Sequence, residues 1–284
     1  MRSVADCLKV GTQALHDAGV PDALRQATSL LQFAIARDRA FIIAHPEYQL
    51  TDNEEELFQS SVARRSAREP FQHIVGRQEF YGLDFIVTPD VLIPRPETEL
   101  IVERAIELLS SLASARFLEI GVGSGCISVA ILKHCPKSSA TAVDISEPAI
   151  EVARRNATMH GVDQRLDILR SDIFGSIADE KFDLIVSNPP YVPLDEYADL
   201  QPEVRDHDPR IAVTDGSTGL TVIERIIDHA PQHLGSSGHL VMEIGYDQHE
   251  RVLSLFDPAI WKAVGFLPDL QGIARTVDAE LVER

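Results

Sequence analysis

The segment Phe182-Asp183-Leu184-Ile185-Val186-Ser187-Asn188-Pro189-Pro190-Tyr191 ends an apolar run in an amide, two prolines and a phenol. These residue types, in this order, suit the holding of a planar nitrogen. The lone pair of an amide or aryl-amine nitrogen is delocalised, so a site that makes it attack must fix its plane and aim the lone pair. The side-chain oxygen of Asn188 can accept from one N–H and the Pro189 carbonyl from the other. Two such acceptors favour positive charge developing on nitrogen. Pro189 and Pro190 lock the backbone that carries them, and Tyr191 can stack on the flat group. No strong base is required, because the product nitrogen can release its proton late. The competing reading is a proline turn that ends a strand with Tyr191 merely packed, since Asn-Pro marks turns. The placement after a strand and downstream of a ligand loop favours the chemical reading.

That ligand loop is Gly121-Val122-Gly123-Ser124-Gly125, which follows Phe117-Leu118-Glu119-Ile120 and precedes a helical run. Glycines allow a sharp turn and a close ligand approach, at the strand edge where open α/β folds bind ligands. The spacing is G-x-G-x-G with Cys126 in the third place of the dinucleotide fingerprint, and the P-loop lysine is absent. The loop is therefore tuned to neither pyrophosphate nor triphosphate. A compact nucleoside with an amino-acid tail, such as S-adenosylmethionine, remains, against the alternative that the glycines serve turn geometry alone. Paired with a nitrogen-holding segment, its sulfonium makes the chemistry methyl transfer to nitrogen. Asp144 closes the next strand, where a carboxylate can accept from both ribose hydroxyls; the alternative is an N-cap, which Ser146 can supply instead. Asp172 follows the third strand, where a carboxylate can accept from the exocyclic amine of adenine while Ile173 covers the ring. The alternative there is a turn aspartate.

The elements that must position these residues alternate in type. Strands are predicted at 115–120, 140–144, 166–169, 182–187 and 239–244, and helices at 126–134, 148–160 and 221–234. This is the pattern of crossover units and a parallel sheet covered on both faces. A closing hairpin at 261–264 and 273–277 is predicted on one sheet edge. Residues 1–70 carry apolar residues at helical spacing, with Asp22 and Asp52 at N-cap positions, and predict a small helical bundle. The short aromatic and β-branched runs 71–75 and 79–87, parted by Gly76, predict a β-hairpin linker. The domains expected are thus 1–70, a linker 71–95, and 96–284. The stiff Ile93-Pro94-Arg95-Pro96-Glu97-Thr98-Glu99 loop opens a helix through Leu109.

A length of 284 residues allows one large domain and a smaller one. With 26 basic against 44 acidic residues, the net charge of -18 disfavours phosphate-backbone binding, so no direct nucleic-acid partner is expected. Three sparse cysteines, Cys7, Cys126 and Cys135, argue against disulfides and structural zinc and fit a reducing, cytoplasmic setting. No signal peptide or membrane span is read. No metal is called for: His229 and His233, four apart, read as a polar helix face. Cys126 is read as a buried packing residue rather than a thiol activated at a helix start. Asp206-His207-Asp208 reads as a charged turn without a catalytic role.

The glycine loop from Glu119 to Gly125 with Asn188-Pro189-Pro190-Tyr191 resembles class I methyltransferases acting on nitrogen. The Ile93–Glu99 loop, the helical N-terminus, Phe80-Tyr81-Gly82-Leu83, Asp208-Pro209-Arg210-Ile211-Ala212, Asp215-Gly216-Ser217-Thr218-Gly219-Leu220 and Glu243-Ile244-Gly245-Tyr246-Asp247-Gln248 narrow this. Over essentially the whole chain the sequence resembles the release-factor glutamine methyltransferase family. The resemblance implies a Rossmann-like class I methyltransferase domain with a seven-stranded, mostly parallel sheet. It further implies methylation of the glutamine amide in the Gly-Gly-Gln motif of peptide chain release factors, by a protein expected to be monomeric. By that pattern Gly121 to Gly125 wrap the methionine part of S-adenosylmethionine, Asp144 holds ribose, Asp172 and Ile173 flank adenine, and Asn188 to Tyr191 hold the glutamine, with Asn188 also counted among the cofactor-binding residues. Relatives often carry an aromatic at Ile173 and Asp at Glu119. Arg95 and Glu97 are expected to shape the site, and the helical domain to grip the release factor. The alternatives are an adenine-N6 or other amine methyltransferase, which would need a basic surface; a noncatalytic binding module; and, more distantly, a pyridine-nucleotide oxidoreductase, which the glycine spacing rejects.

Overall fold

Residues 2–283 are described by a computed structural model. The chain starts with five helices, α1 (Val4–Asp17), α2 (Ala23–Ile35), α3 (Arg39–Ala44), α4 (Asp52–Ser66) and α5 (Phe71–Val75). A β1 (Arg77–Phe80) and β2 (Leu83–Ile86) hairpin follows, then a 3₁₀ turn, Pro96–Thr98, leading into α6 (Glu99–Leu109). Alternation begins with β3 (Arg116–Ile120), α7 (Cys126–His134), β4 (Ser139–Asp144), α8 (Glu147–Met159), β5 (Leu166–Arg170) and β6 (Phe182–Ser187). The remainder is α9 (Pro202–Arg205), α10 (Arg210–Val213), α11 (Thr221–His229), β7 (Leu234–Glu243), α12 (His249–Leu253), β8 (Trp261–Pro268) and β9 (Ala274–Leu281).

Two compact units result, Met1–Gly76 with Gln201–His207, and Arg77–Leu200 with Asp208–Arg284. The first is a helical bundle around Leu15, Leu30, Leu31, Leu50 and Phe58. Gly11 lets α1 meet α4 closely: a Cβ there would lie 2.7 Å from the Phe58 ring. Glu203 of α9 joins this bundle by accepting from Arg65 of α4 and from Arg68 just beyond it, each at 2.8 Å. Burial raises its carboxyl, yet the two guanidiniums outweigh that and bring it down to about 2.

The second unit carries a seven-stranded sheet in the order β5-β4-β3-β6-β7-β9-β8. β5, β4, β3, β6 and β7 run parallel, whereas β9 is antiparallel to both β7 and β8. This is the expected Rossmann-like class I arrangement. Strand order reverses at β3, between β4 and β6, which opens a crevice at the carboxyl ends of these strands. The central strands are apolar because both faces are covered: Phe117, Leu118, Leu184, Ile185 and Val186 have no exposed surface.

Local differences from the sequence expectation have simple causes. The strand expected at 71–75 is α5, a single turn that follows Pro70 and stops at Gly76 with φ 74°. The hairpin is confined to β1 and β2, joined by Tyr81-Gly82, both at positive φ, as a tight primed turn requires. Asp52 is the first helical residue of α4 rather than its cap. Thr51 caps it instead, in a reciprocal pair with Glu54. Asp22 occupies the cap position of α2 in a left-handed conformation and makes no side-chain cap bond. The helix expected over 221–234 ends at His229, before Pro231, and β7 starts at Leu234, bulged where it meets Phe182–Leu184. The closing hairpin is present and longer than predicted. No helix among the described residues is long and apolar enough to cross a membrane.

Candidate functional site

A cavity of about 360 Å³ lies in the crevice, lined by the glycine loop from Gly121 to Ser124, the ends of β4 and β6, residues 171–173, and Pro209, Ile211, Ala212, Thr214 and Asp215. Its volume falls in the range of small-molecule sites. Gly121, Gly123 and Gly125 have φ of 78°, 50° and 80°, a backbone that other residues rarely adopt. The N–H groups of Gly121 and Val122 both donate to the Val143 carbonyl at 2.9 Å, which ties the loop to β4. A Cβ on Gly125 would lie 3.2 Å from that of Ala153, so this glycine also lets α8 pack against the loop. The buried Asn156 of α8 donates to the Ser124 and Ile86 carbonyls at 2.8 and 3.0 Å, and accepts from the Ile86 N–H at 2.8 Å. It thereby couples the loop to the hairpin.

Two carboxylates sit beneath this loop. Asp144 accepts from Gly123 N–H and Ser146 N–H, one on each oxygen, both at 2.9 Å. Burial nonetheless pushes its carboxyl up. Ser146 caps α8 by accepting from Ala149 N–H, so Asp144 is not the cap. Glu119, 1 % exposed, gives one oxygen to the backbone and hydroxyl of Ser128. Its other oxygen, Oε1, is buried without a hydrogen-bond partner among the described residues, and burial pushes the carboxyl up to about 8. On the adjoining wall Asp172 is exposed and accepts from Arg225 at 2.9 Å. Buried Ile173 adopts φ 53°, a strained conformation for a β-branched residue.

The opposite wall is Asn188-Pro189-Pro190. Asn188 Nδ2 donates to Thr98 Oγ1 at 3.0 Å, and Thr98 Oγ1 donates to Glu243 Oε2 at 2.6 Å. Asn188 Oδ1 has no hydrogen-bond partner among the described residues. The Tyr191 hydroxyl donates to Glu243 Oε1 at 3.0 Å, so its phenol is committed to the protein. Tyr191 is not among the residues that line the cavity. Burial pushes both the Glu243 carboxyl and the Tyr191 phenol up. Gln248 donates to the Tyr191 carbonyl at 2.9 Å. Gly219, at φ 76°, leaves room for that carbonyl, which a Cβ would meet at 2.2 Å.

The structure therefore brings Gly121 to Ser124, Asp144, Asp172, Ile173, Asn188, Pro189 and Pro190 around one cavity, while Gly125 sits behind it against Ala153. Arg95 also lines it and donates to buried Asp208 at 2.6 Å, while Glu97 does not. Sequence reasoning passed over Thr98, Asn156 and Glu243; the only signal for Thr98 and Glu243 was that each lies in a stretch shared with the resembled family. Cys126 is buried and its thiol is pushed up to about 12 by that burial, as befits a packing residue. His233 stacks on Phe174 at 4.6 Å, with His229 on the same ring at 6.3 Å.

A strand-order reversal, a glycine loop over buried carboxylates and an Asn-Pro-Pro segment at the rim together define a methyltransferase of the class I fold. Residues 6–76 match the PrmC N-terminal domain family and residues 98–200 the methyltransferase small domain family. A release factor glutamine methyltransferase of Geobacter sulfurreducens is 42% identical over 94% of this chain and 93% of its own. One from Cereibacter sphaeroides is 40% identical over 98% of each chain. The chain belongs to the release factor glutamine methyltransferase family. A methyltransferase crystal structure from Pyrococcus furiosus superposes with a TM-score of 0.53 over 80% of this chain and 98% of that one. At 18% identity, that likeness speaks to the fold alone.

Proposed function

We infer that this protein transfers a methyl group from S-adenosyl-L-methionine to the side-chain amide nitrogen of the glutamine in the Gly-Gly-Gln motif of peptide chain release factors, and so modulates translation termination. The observation that carries the reading is the Asn188 amide, tethered through its nitrogen to Thr98 with its oxygen left unpaired, on the rim of a cavity that also holds the glycine loop. Family membership supplies the substrate class.

The residues fit the cofactor. Glu119 Oε1, a buried acceptor without a partner, suits a cationic ammonium. Gly121, Val122, Gly123, Ser124 and Gly125 would wrap the amino-acid end. Asp144 has accepting capacity left on each oxygen for ribose hydroxyls. Asp172 and Ile173 would flank the adenine. When bound, the cofactor supplies a methyl group on a positively charged sulfur. Asn188 Oδ1 and the Pro189 carbonyl then accept from the two amide hydrogens of the glutamine, fixing its plane and favouring the positive charge that grows on nitrogen. Pro189 and Pro190 keep these acceptors preorganised. Tyr191 serves by anchoring the segment to Glu243. The helical domain, residues 1–70, is assigned to gripping the release factor.

The test is incubation with methyl-labelled S-adenosylmethionine and an unmethylated release factor, followed by fragment mass analysis. Label on the Gly-Gly-Gln glutamine, absent with Asn188→Ala and with a Gln-to-Ala substrate, is the expected result. Cofactor binding without label on that glutamine would refute the substrate assignment while leaving the class intact.

A further inference from the structure

We propose that Glu243 and Thr98 form a hydrogen-bond chain of fixed direction that decides which end of the Asn188 amide faces the cavity, making both positioning residues for methyl transfer. The inference rests on the role given above to Asn188 Oδ1 and deepens it.

The two ends of an asparagine amide are close in size and opposite in hydrogen-bonding sense. With its NH₂ turned inward, Asn188 would set a donor against the donor N–H of a glutamine amide and would repel the charge developing there. Something must select the other rotamer, and the selection can be followed proton by proton. An ionised carboxylate can only accept. Both hydroxyls that reach Glu243, Thr98 Oγ1 at 2.6 Å and Tyr191 Oη at 3.0 Å, must therefore donate to it. Thr98 has one proton and gives it to Glu243, so toward Asn188 its oxygen can only accept. The Asn188 group 3.0 Å away must then be the NH₂, and Oδ1 is left for the ligand. With Glu243 ionised, this logic does not depend on how the amide oxygen and nitrogen are distinguished, because the carboxylate at the far end sets the direction; a protonated Glu243 could donate to Thr98 and reverse it.

The chain is shielded from water, which could otherwise donate or accept at will. Thr98 is 2 % and Glu243 1 % exposed. The ionisable groups that act on Glu243 are Tyr191 from the Asn-Pro-Pro-Tyr segment, Glu97 from the 3₁₀ turn, and Arg275 from β9. Burial, the largest influence, and Glu97 oppose the ionised form, whereas the two donated hydroxyls and Arg275 support it. A chain ending in a carboxylate also polarises the amide it orders, strengthening Oδ1 as an acceptor. Thr98 and Glu243 thereby give the Pro-Arg-Pro-Glu-Thr loop and the end of β7 a common purpose.

Thr98→Val keeps the side-chain shape and removes both the donor and the acceptor; Thr98→Ser keeps the hydroxyl. With a release factor substrate, Thr98→Val should lower kcat roughly 10- to 100-fold while the cofactor Kd, measured by calorimetry, stays within about twofold. Thr98→Ser should recover kcat to within about threefold of the parent. Glu243→Gln can turn an N–H toward Thr98 and reverse the chain, so its loss should resemble that of Thr98→Val. The double variant should lose no more than Thr98→Val alone. Unchanged cofactor affinity also shows that each variant is folded; should Thr98→Val fail that check, Thr98→Ser and Glu243→Gln carry the comparison. The chain is overturned if Thr98→Val turns over within twofold of the parent, if Val and Ser are equally impaired, or if the two losses multiply. Full activity in Asn188→Ala would instead strike down the role of Asn188 itself; an inactive Asn188→Ala beside an active Thr98→Val would remove only the chain.

Discussion

The two walls of the cavity are built from different materials. Beneath the glycine loop the contacts are largely backbone: Gly121 and Val122 N–H to the Val143 carbonyl, Gly125 N–H to the Val122 carbonyl, and Gly123 N–H to Asp144, 21 residues on. The Asn188 wall is held by side chains recruited from afar. Thr98 lies 90 residues from Asn188, Glu243 52 from Tyr191, and Gln248 57 from Tyr191. A backbone-built wall depends on φ and on space, so it should fail when a Cβ is added. A side-chain-built wall depends on donors and acceptors, so it should fail when polarity changes at constant shape. In the reading above the first wall binds the cofactor and the second directs the nitrogen. Damage to the two should therefore separate into binding and turnover.

The sharpest test of that division is Asn188→Ala. It removes an acceptor aimed at developing charge, a loss worth roughly 10²- to 10³-fold in kcat at sites of this kind. Cofactor affinity should change little, since the side-chain hydrogen bond of Asn188 runs to Thr98 and not to the glycine loop. A comparable loss of cofactor affinity would erase the distinction between the walls. On the other side, Gly125→Ala forces φ 80° on a residue with a Cβ and sets that Cβ 3.2 Å from Ala153. Left-handed strain of about 1–3 kcal/mol should appear as weaker cofactor binding and a lower Tm, with kcat at saturating cofactor largely kept. Thermal unfolding with and without cofactor reads both quantities. A variant that binds and melts like the parent would mean that the loop's geometry is not what binding depends on.

The same difference in construction decides what could be read from the sequence. The glycine loop, Asp144 and the parallel strands around them are legible because their spacing is local and their residue types are restricted by backbone geometry. The Asn-Pro-Pro-Tyr segment is legible as chemistry, since few residue orders fix a planar nitrogen. Its supports were not. Thr98 reads as one more residue of a proline-rich loop, and Glu243 as the polar end of an apolar strand, until the sheet brings them together. Nor does the order of residues show that the Tyr191 hydroxyl donates to Glu243. Asn156 is likewise invisible, an amide in an amphipathic helix that satisfies backbone groups on the glycine loop and on β2. At 71–75 the short apolar run suits a strand or a helical turn equally, and Pro70 and Gly76 settle it as the latter.

Glu119 belongs to the backbone-built wall but brings a charge to it, and its effect should be the smallest and the most dependent on pH. Burial is the main reason its carboxyl stands near 8, with Asp144 adding to the rise and Ser128 opposing it. Against an ordinary value of 4.5, the folded protein keeps a proton that the unfolded chain has released. Between those two values the unfolded state binds fewer protons, so the contribution of Glu119 to stability is complete below pH 4.5 and is lost as pH rises to 8. In Glu119→Gln the Tm should fall less steeply across that window. A bound ammonium reverses the preference by favouring the carboxylate. Cofactor binding near pH 6–7 should then release a proton, and affinity should rise with pH by up to about tenfold per unit. Calorimetry in two buffers of different ionisation heat counts that proton. One proton released by the parent and none by Glu119→Gln places the ammonium at Glu119 Oε1; equal release from both proteins means that the positive end of the cofactor lies elsewhere, and that the unpaired oxygen answers to another group.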